Sequence, residues 1–282
     1  MKGLGLPAAI LAFGALFCGG CSGDDPGGTP AAGGGGGADG GAGSGGFSDA
    51  AIADASFPDA PADSSDAAPE AAGPCPSDMA LVGAACMDRY EAPNRAGELP
   101  LVMYSFDEAD AWCLARDKRL CFDDEWTHAC SGPLELKYPY GDTHQPGICT
   151  DDKLWKTYEQ SKLNGWPFTV STPGVESLAQ LFLDAKAKSI AAANAADHVQ
   201  WLYQAEPSGS KLNCVREEGI FDLTGNVEEW TQRRDGGTAS FHGNLKGRYW
   251  AETRTCQNNI TSHGDGFRFY EIGFRCCRDP AK

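Results

Sequence analysis

Beyond the N-terminal segment, apolar residues first cluster in two short runs, Met79-Ala80-Leu81-Val82 and Cys86-Met87-Asp88-Arg89-Tyr90, either side of Gly83. This pattern predicts two short strands around a turn. Ser105-Phe106-Asp107-Glu108 is a capping box, with serine at the N-cap and glutamate three residues on. Ala109, Trp112, Cys113 and Arg116 continue at helical spacing, so a helix is expected to run to about Asp117-Lys118. A second short helix is expected over Asp123 to Cys130, stopping at Gly132, with Trp126, Ala129 and Cys130 on its buried side. Tyr138-Pro139-Tyr140-Gly141-Asp142 reads as a turn. Leu178, Leu181, Phe182 and Ala185 repeat at i, i+3, i+4, i+7. That helix is expected to start at Thr172-Pro173, with proline in its first turn, and to extend through the alanine-rich stretch toward Leu202. From Ile220 to Arg278 the periodicity fades into Gly, Asn, Trp and Arg, which predicts short strands, turns and loops.

The N-terminal pattern is different. Lys2 is the only charge ahead of a small and apolar run from Leu4 to Phe17, too short to cross a bilayer as a helix but suited to a signal peptide. Gly19-Gly20-Cys21 follows, similar to a bacterial lipobox except that Cys18 stands where leucine is usual. Residues 1–21 are thus expected to be a lipoprotein signal, with Cys21 as the lipidated residue; ordinary cleavage is the competing reading. Stable anchoring takes two or more acyl chains. Ser22 after the lipid site points to the outer membrane or cell surface of a Gram-negative bacterium. Residues 22–73 are dominated by Gly, Ala, Pro, Ser and Asp, with neither Lys nor Arg. Such a segment buries too little apolar surface to offset its chain entropy. As an acidic tether of about 50 residues it would reach about 40 Å; compositional drift without a length requirement is the alternative.

Residues 74–282 are long enough for one domain with its own core, containing a helical insertion at about 150–213. The net charge of −16 argues against nucleic acid as a partner, since phosphate binding needs clustered Lys and Arg. Twelve cysteines in an exported chain, ten of them in the domain, point to a disulfide framework. Zinc is disfavoured: the domain has no CxxC pair, and its five histidines (His128, His144, His198, His242, His263) are scattered.

Seven motifs then occur in one order: Asp88-Arg89-Tyr90-Glu91, Asp110-Ala111-Trp112-Cys113, Lys118-Arg119-Leu120, Glu125-Trp126, Tyr138-Pro139-Tyr140-Gly141-Asp142, Gly225-Asn226-Val227-Glu228-Glu229-Trp230 and Gly273-Phe274-Arg275-Cys276. Together they resemble the sulfatase-modifying-factor family, whose type member is formylglycine-generating enzyme, over nearly all of Cys75 to Asp279. The resemblance implies an α+β, irregular, loop-rich and disulfide-stapled fold related to C-type lectins. It implies Cys113–Cys276 and Cys130–Cys256 cystines. Cys75–Cys86 would close a small loop and Cys149–Cys214 would staple the insertion, with Cys121 and Cys277 left to pair. It also implies bound calcium and, in the true enzymes, copper-dependent oxidation of a substrate cysteine to formylglycine.

Asp222 and Glu229 can offer carboxylates to calcium, with the carbonyls of Gly225 and Val227 between them. The resemblance places ligands at the same four positions; the alternative is a Gly-Asn turn with solvated acids. Trp126 and Trp230 read first as core, and Arg119 and Arg275 as arginines that satisfy buried carboxylates or carbonyls. The copper enzyme needs two cysteines five apart, because soft thiolates select copper(I). The matching stretch, Leu245-Lys246-Gly247-Arg248-Tyr249-Trp250 on to Cys256, lacks that pair, and Glu228 replaces a tryptophan common in the family. Copper is therefore not expected and no catalytic residue is assigned. A non-catalytic binding or structural module, with an envelope protein or glycan as ligand and a membrane reached through its lipid, competes with an oxidase whose metal site is rearranged.

Overall fold

Gly83 turns the chain between two strands, β1 (Met79–Val82) and β2 (Ala85–Asp88), which pair antiparallel with Met79 opposite Asp88. The computed structural model describes residues 73–281; the expected signal segment, Cys21 and the expected tether to residue 72 lie outside the described residues. Strand β2 ends at Asp88, two residues before the expected Tyr90, because the Asp88 side chain turns inward to Lys118 and to the amide of Cys276.

Helix α1 (Phe106–Leu114) starts at the capping box: Ser105 Oγ accepts from the Glu108 amide and Glu108 returns a carboxylate to the Ser105 amide. It stops at Leu114, not at Asp117-Lys118. Arg116 and Asp117 continue only as turns, and Asp117 takes a left-handed backbone that ends the helix. A two-residue strand β3 (Arg119–Leu120) leads into α2 (Asp123–Ser131), which ends at Gly132. Short α3 (Gln160–Leu163) precedes α4 (Leu178–Lys186) and α5 (Ile190–Leu202). The expected proline-led start is corrected here: Ser177, not Thr172-Pro173, caps α4. The single long helix is also two, because Ser189 accepts from the Ala192 amide and caps a new one.

Strands β4 (Glu228–Gln232), β5 (Gly243–Lys246) and β6 (Ile272–Phe274) form a three-stranded sheet in the order β5-β4-β6. The last strand, β7 (Cys276–Arg278), joins the other sheet, ordered β1-β2-β7-β3. One run of chain thus passes from one sheet into the other at Arg275. The result is an α+β, loop-rich fold. Trp112, Trp126, Trp230 and Trp250 are fully buried, and the apolar faces of α4 and α5 join the same core as α1, β4 and β6. Among the described residues no helix is long and apolar enough to cross a membrane.

Five cystines staple the domain: Cys75–Cys86, Cys113–Cys276, Cys121–Cys277, Cys130–Cys256 and Cys149–Cys214. Adjacent strand residues face opposite ways. In β7, Cys276 therefore bonds back to α1 while Cys277 bonds to Cys121 just after β3.

Candidate binding site

The loop from Asp222 to Trp230 runs through the interior. Asp222, Gly225 and Asn226 all have left-handed backbones, and a Cβ on Gly225 would collide with the Thr150 carbonyl. That close approach lets the Asn226 amide donate to Thr150 O at 2.7 Å. The Asn226 side chain bridges two segments, donating to Glu91 Oε1 at 2.8 Å and accepting from the Glu206 amide at 2.8 Å. Ser208 holds the other Glu91 oxygen at 2.7 Å, and Asp222 Oδ2 accepts from the Gly209 amide at 2.7 Å. Glu229 takes Nε and Nη2 of Arg275, each at 2.7 Å, and Trp126 Nε1 at 2.9 Å.

The acids of this loop are not solvated: Asp222 is 3% and Glu229 0% exposed. Glu91, Asp222 and Glu229 share one guanidinium, that of Arg275. Burial, with repulsion from Asp222, pushes the Glu91 carboxyl up to about 8. Burial likewise lifts Asp222 to about 6 against the Gly209 amide and Arg275. This excess of buried negative charge fits a cation. Among the described residues no three His, Cys, Asp or Glu side chains are grouped to hold a metal ion, so a cation here would have to draw on backbone oxygens. The carbonyls of Gly225 and Val227 are candidates, since no backbone amide of the described turns and loops donates to them. Glu229 Oε1 accepts from Arg275 alone and retains a lone pair.

Lys246 lies in the stretch 245–250, which lacks a cysteine pair. Its ammonium is buried against Asn259 Oδ1 at 2.9 Å and over the Trp126 ring, and burial lowers its pKa to about 8. Cys256 is bonded to Cys130, and all ten described cysteines are in cystines.

Beside this stretch lies a cavity of about 330 Å³ bounded by Tyr158, Glu228, Arg248, Phe267, Phe269 and Glu271. Arg248, in a left-handed backbone, donates to Glu228 Oε1 at 3.0 Å and pairs with Glu252, which also holds Arg254. Glu271 is 8% exposed, and its Oε2 has no hydrogen-bond partner. The Tyr270 hydroxyl lies beside it without closing a well-formed bond. Burial pushes Glu228 up to about 7; burial together with Glu228 pushes Glu271 up to about 8. The sequence reading singled out Glu228 only as a replaced tryptophan and missed Glu271 and Arg248. The one available signal was an acid placed directly before the apolar Ile272-Gly273-Phe274 run.

The family model for the sulfatase-modifying factor enzyme 1-like domain matches residues 79–280. Three solved structures are similar at low identity. The Treponema denticola variable protein 1 is 18% identical, with a TM-score of 0.32 over 58% of this chain and 48% of its own. The chain therefore spans about half the length of that protein. CarF is 16% identical with a TM-score of 0.39, over 65% of this chain and 68% of its own. PvdO from Pseudomonas aeruginosa is 16% identical with a TM-score of 0.38, over 69% and 80%. No curated protein matches.

Proposed function

The chain belongs to the sulfatase-modifying factor enzyme 1-like family, and from that premise we propose that its domain is a non-catalytic binding module, exported and held at a membrane by a lipid on Cys21. The observation that carries this reading is the state of the cysteines. Copper(I) oxidation of a substrate thiol needs two protein thiolates, because soft ligands select that metal. Every cysteine of the described domain is instead bound to another, and Lys246, Gly247 and Arg248 occupy the matching stretch. Ten cystine-locked cysteines also suit an extracytoplasmic compartment.

Calcium belongs to this reading as a structural cation, held by Asp222, Glu229 and the carbonyls of Gly225 and Val227. It would offset the buried negative charge that Arg275 alone leaves. In the module the cavity at Glu228 and Glu271 is the recognition site.

The test is turnover. Purified protein supplied with copper(I) and a cysteine-containing sulfatase peptide should form no formylglycine, and thiol titration of the denatured, unreduced domain from residue 74 should count no free thiol. Peptide oxidation that is lost on chelation would make the domain an oxidase instead.

A further inference from the structure

We propose that the cavity between Glu271 and the aromatic side chains of Tyr158, Phe267 and Phe269 binds a primary ammonium group, such as a lysine side chain or a small alkylamine. This rests on the reading of the domain as a binding module and names the ligand class of its site. Three observations point to it.

The first is an acceptor without a donor. Glu271 lines the cavity, and its buried Oε2 has no well-formed hydrogen bond, with the Tyr270 hydroxyl lying beside it. A buried carboxyl without a full set of partners is destabilising, and a donor entering the cavity would offset that cost.

The second is charge. Glu228, Glu252 and Glu271 stand together with two guanidinium groups, those of Arg248 and Arg254. Arg248 bridges Glu228 and Glu252, and Arg254 holds Glu252. Among the described residues no cation pairs with Glu271; burial and the neighbouring Glu228 hold a proton on its carboxyl in the ligand-free domain, and an ammonium seated in the cavity would take the place of that proton.

The third is the wall. Tyr158 and Phe269 meet edge to face at 5.0 Å, and Phe267 stacks on Phe269 at 5.9 Å and on His263 at 4.0 Å. These half-buried rings present π faces and edges around a volume suited to a small organic group. Aromatic faces attract cations, whereas a hydrated divalent ion would want more oxygen ligands than the cavity offers. The orphaned oxygen also requires an N–H, which selects a primary ammonium over a quaternary one.

The probe is Nα-acetyl-lysine methylamide, compared with its Nε-acetylated and Nε-trimethylated forms, by titration calorimetry on the intact folded domain. The primary ammonium should bind saturably. Acetylation, which removes the charge, and trimethylation, which removes the donors, should each weaken binding at least tenfold. Glu271→Gln should weaken the primary ammonium to a similar extent with its unfolding transition retained, and Phe269→Leu should do so without touching the carboxylate. Equal binding of all three probes, no binding of the primary ammonium, or unchanged binding by folded Glu271→Gln would overturn the proposal. None of these readouts measures peptide oxidation, so failure here leaves the non-catalytic reading to its own test.

Discussion

Arg275 and Glu229 form a closed pair in the interior: Nε and Nη2 each donate to one carboxylate oxygen at 2.7 Å, and neither residue is exposed. Trp126 Nε1 supplies a third bond to Glu229, while Arg275 Nη2 also reaches the Phe221 carbonyl at 2.9 Å. Because Arg275 stands between β6 and β7, the pair fixes the point at which the chain leaves one sheet for the other.

Removing one partner of such a pair strands a buried charge. Arg275→Met should therefore destabilise the domain by about 3–5 kcal/mol in denaturant unfolding. Trp126→Phe, which removes one neutral donor to a charged group, should cost about 1–3 kcal/mol. Arg275→Lys cannot reproduce the planar two-point contact and should fall near the methionine variant. An Arg275→Met protein within 1 kcal/mol of wild type would show that the pair is dispensable.

Much of the frame was legible because its signals are local. The box at Ser105 and Glu108, the stop at Gly132 and the apolar spacing from Leu178 to Ala185 each act within one or two turns. The helix ends were less legible for the same reason. Ser177 and Ser189 cap their helices, and Ser189 is the one local sign of the break ahead of the alanine-rich run. The burial of Arg275 and Trp126 could be expected, but their meeting on one carboxylate joins segments 103 and 46 positions from Glu229. The Glu271 cavity was invisible for a related reason. Its walls come from residues 158, 228, 248, 263, 267, 269 and 271, among others, brought together by the β4–β6 pairing and the loops around it.

The calcium reading makes a thermal prediction. A ligand that binds only the folded state stabilises it by mass action, about 2.7 kcal/mol at one hundred times its Kd. Calcium added to chelator-stripped protein should raise the Tm, and Asp222→Ala should abolish the rise. A calcium-independent Tm would leave the loop held by Arg275, Asn226 and Ser208 alone.

Anchoring is tested outside the folded domain. Gly20-Cys21 predicts that labelled palmitate marks the wild-type chain in the bacterial host and fails to mark Cys21→Ser, which should leave the membrane fraction. One acyl chain alone binds only marginally, so complete processing is needed for full retention. Equal labelling of both proteins would remove Cys21 as the lipid site.

The last prediction concerns pH, in the ligand-free domain. Burial and the neighbouring Glu228 push the Glu271 carboxyl up to about 8, against an ordinary value of 4.5. Between those two values the folded state keeps a proton that the unfolded chain has released. The contribution is therefore fully present below about pH 4.5 and is lost as pH rises through about 8. Glu228 acts in the same sense up to about 7, opposed by Arg248, as do Asp88 and Asp222 up to about 6. Wild-type stability should fall from pH 5 to pH 8. Glu271→Gln keeps the shape of the side chain and removes its titration, so its stability should fall less over that range. One pKa unit corresponds to about 1.4 kcal/mol, and the two slopes should differ by more than about 1 kcal/mol in total. Denaturant unfolding of both proteins at pH 5 and pH 8 measures this. Parallel losses would mean that Glu271 ionises freely in the folded domain, with water from the cavity reaching its carboxylate.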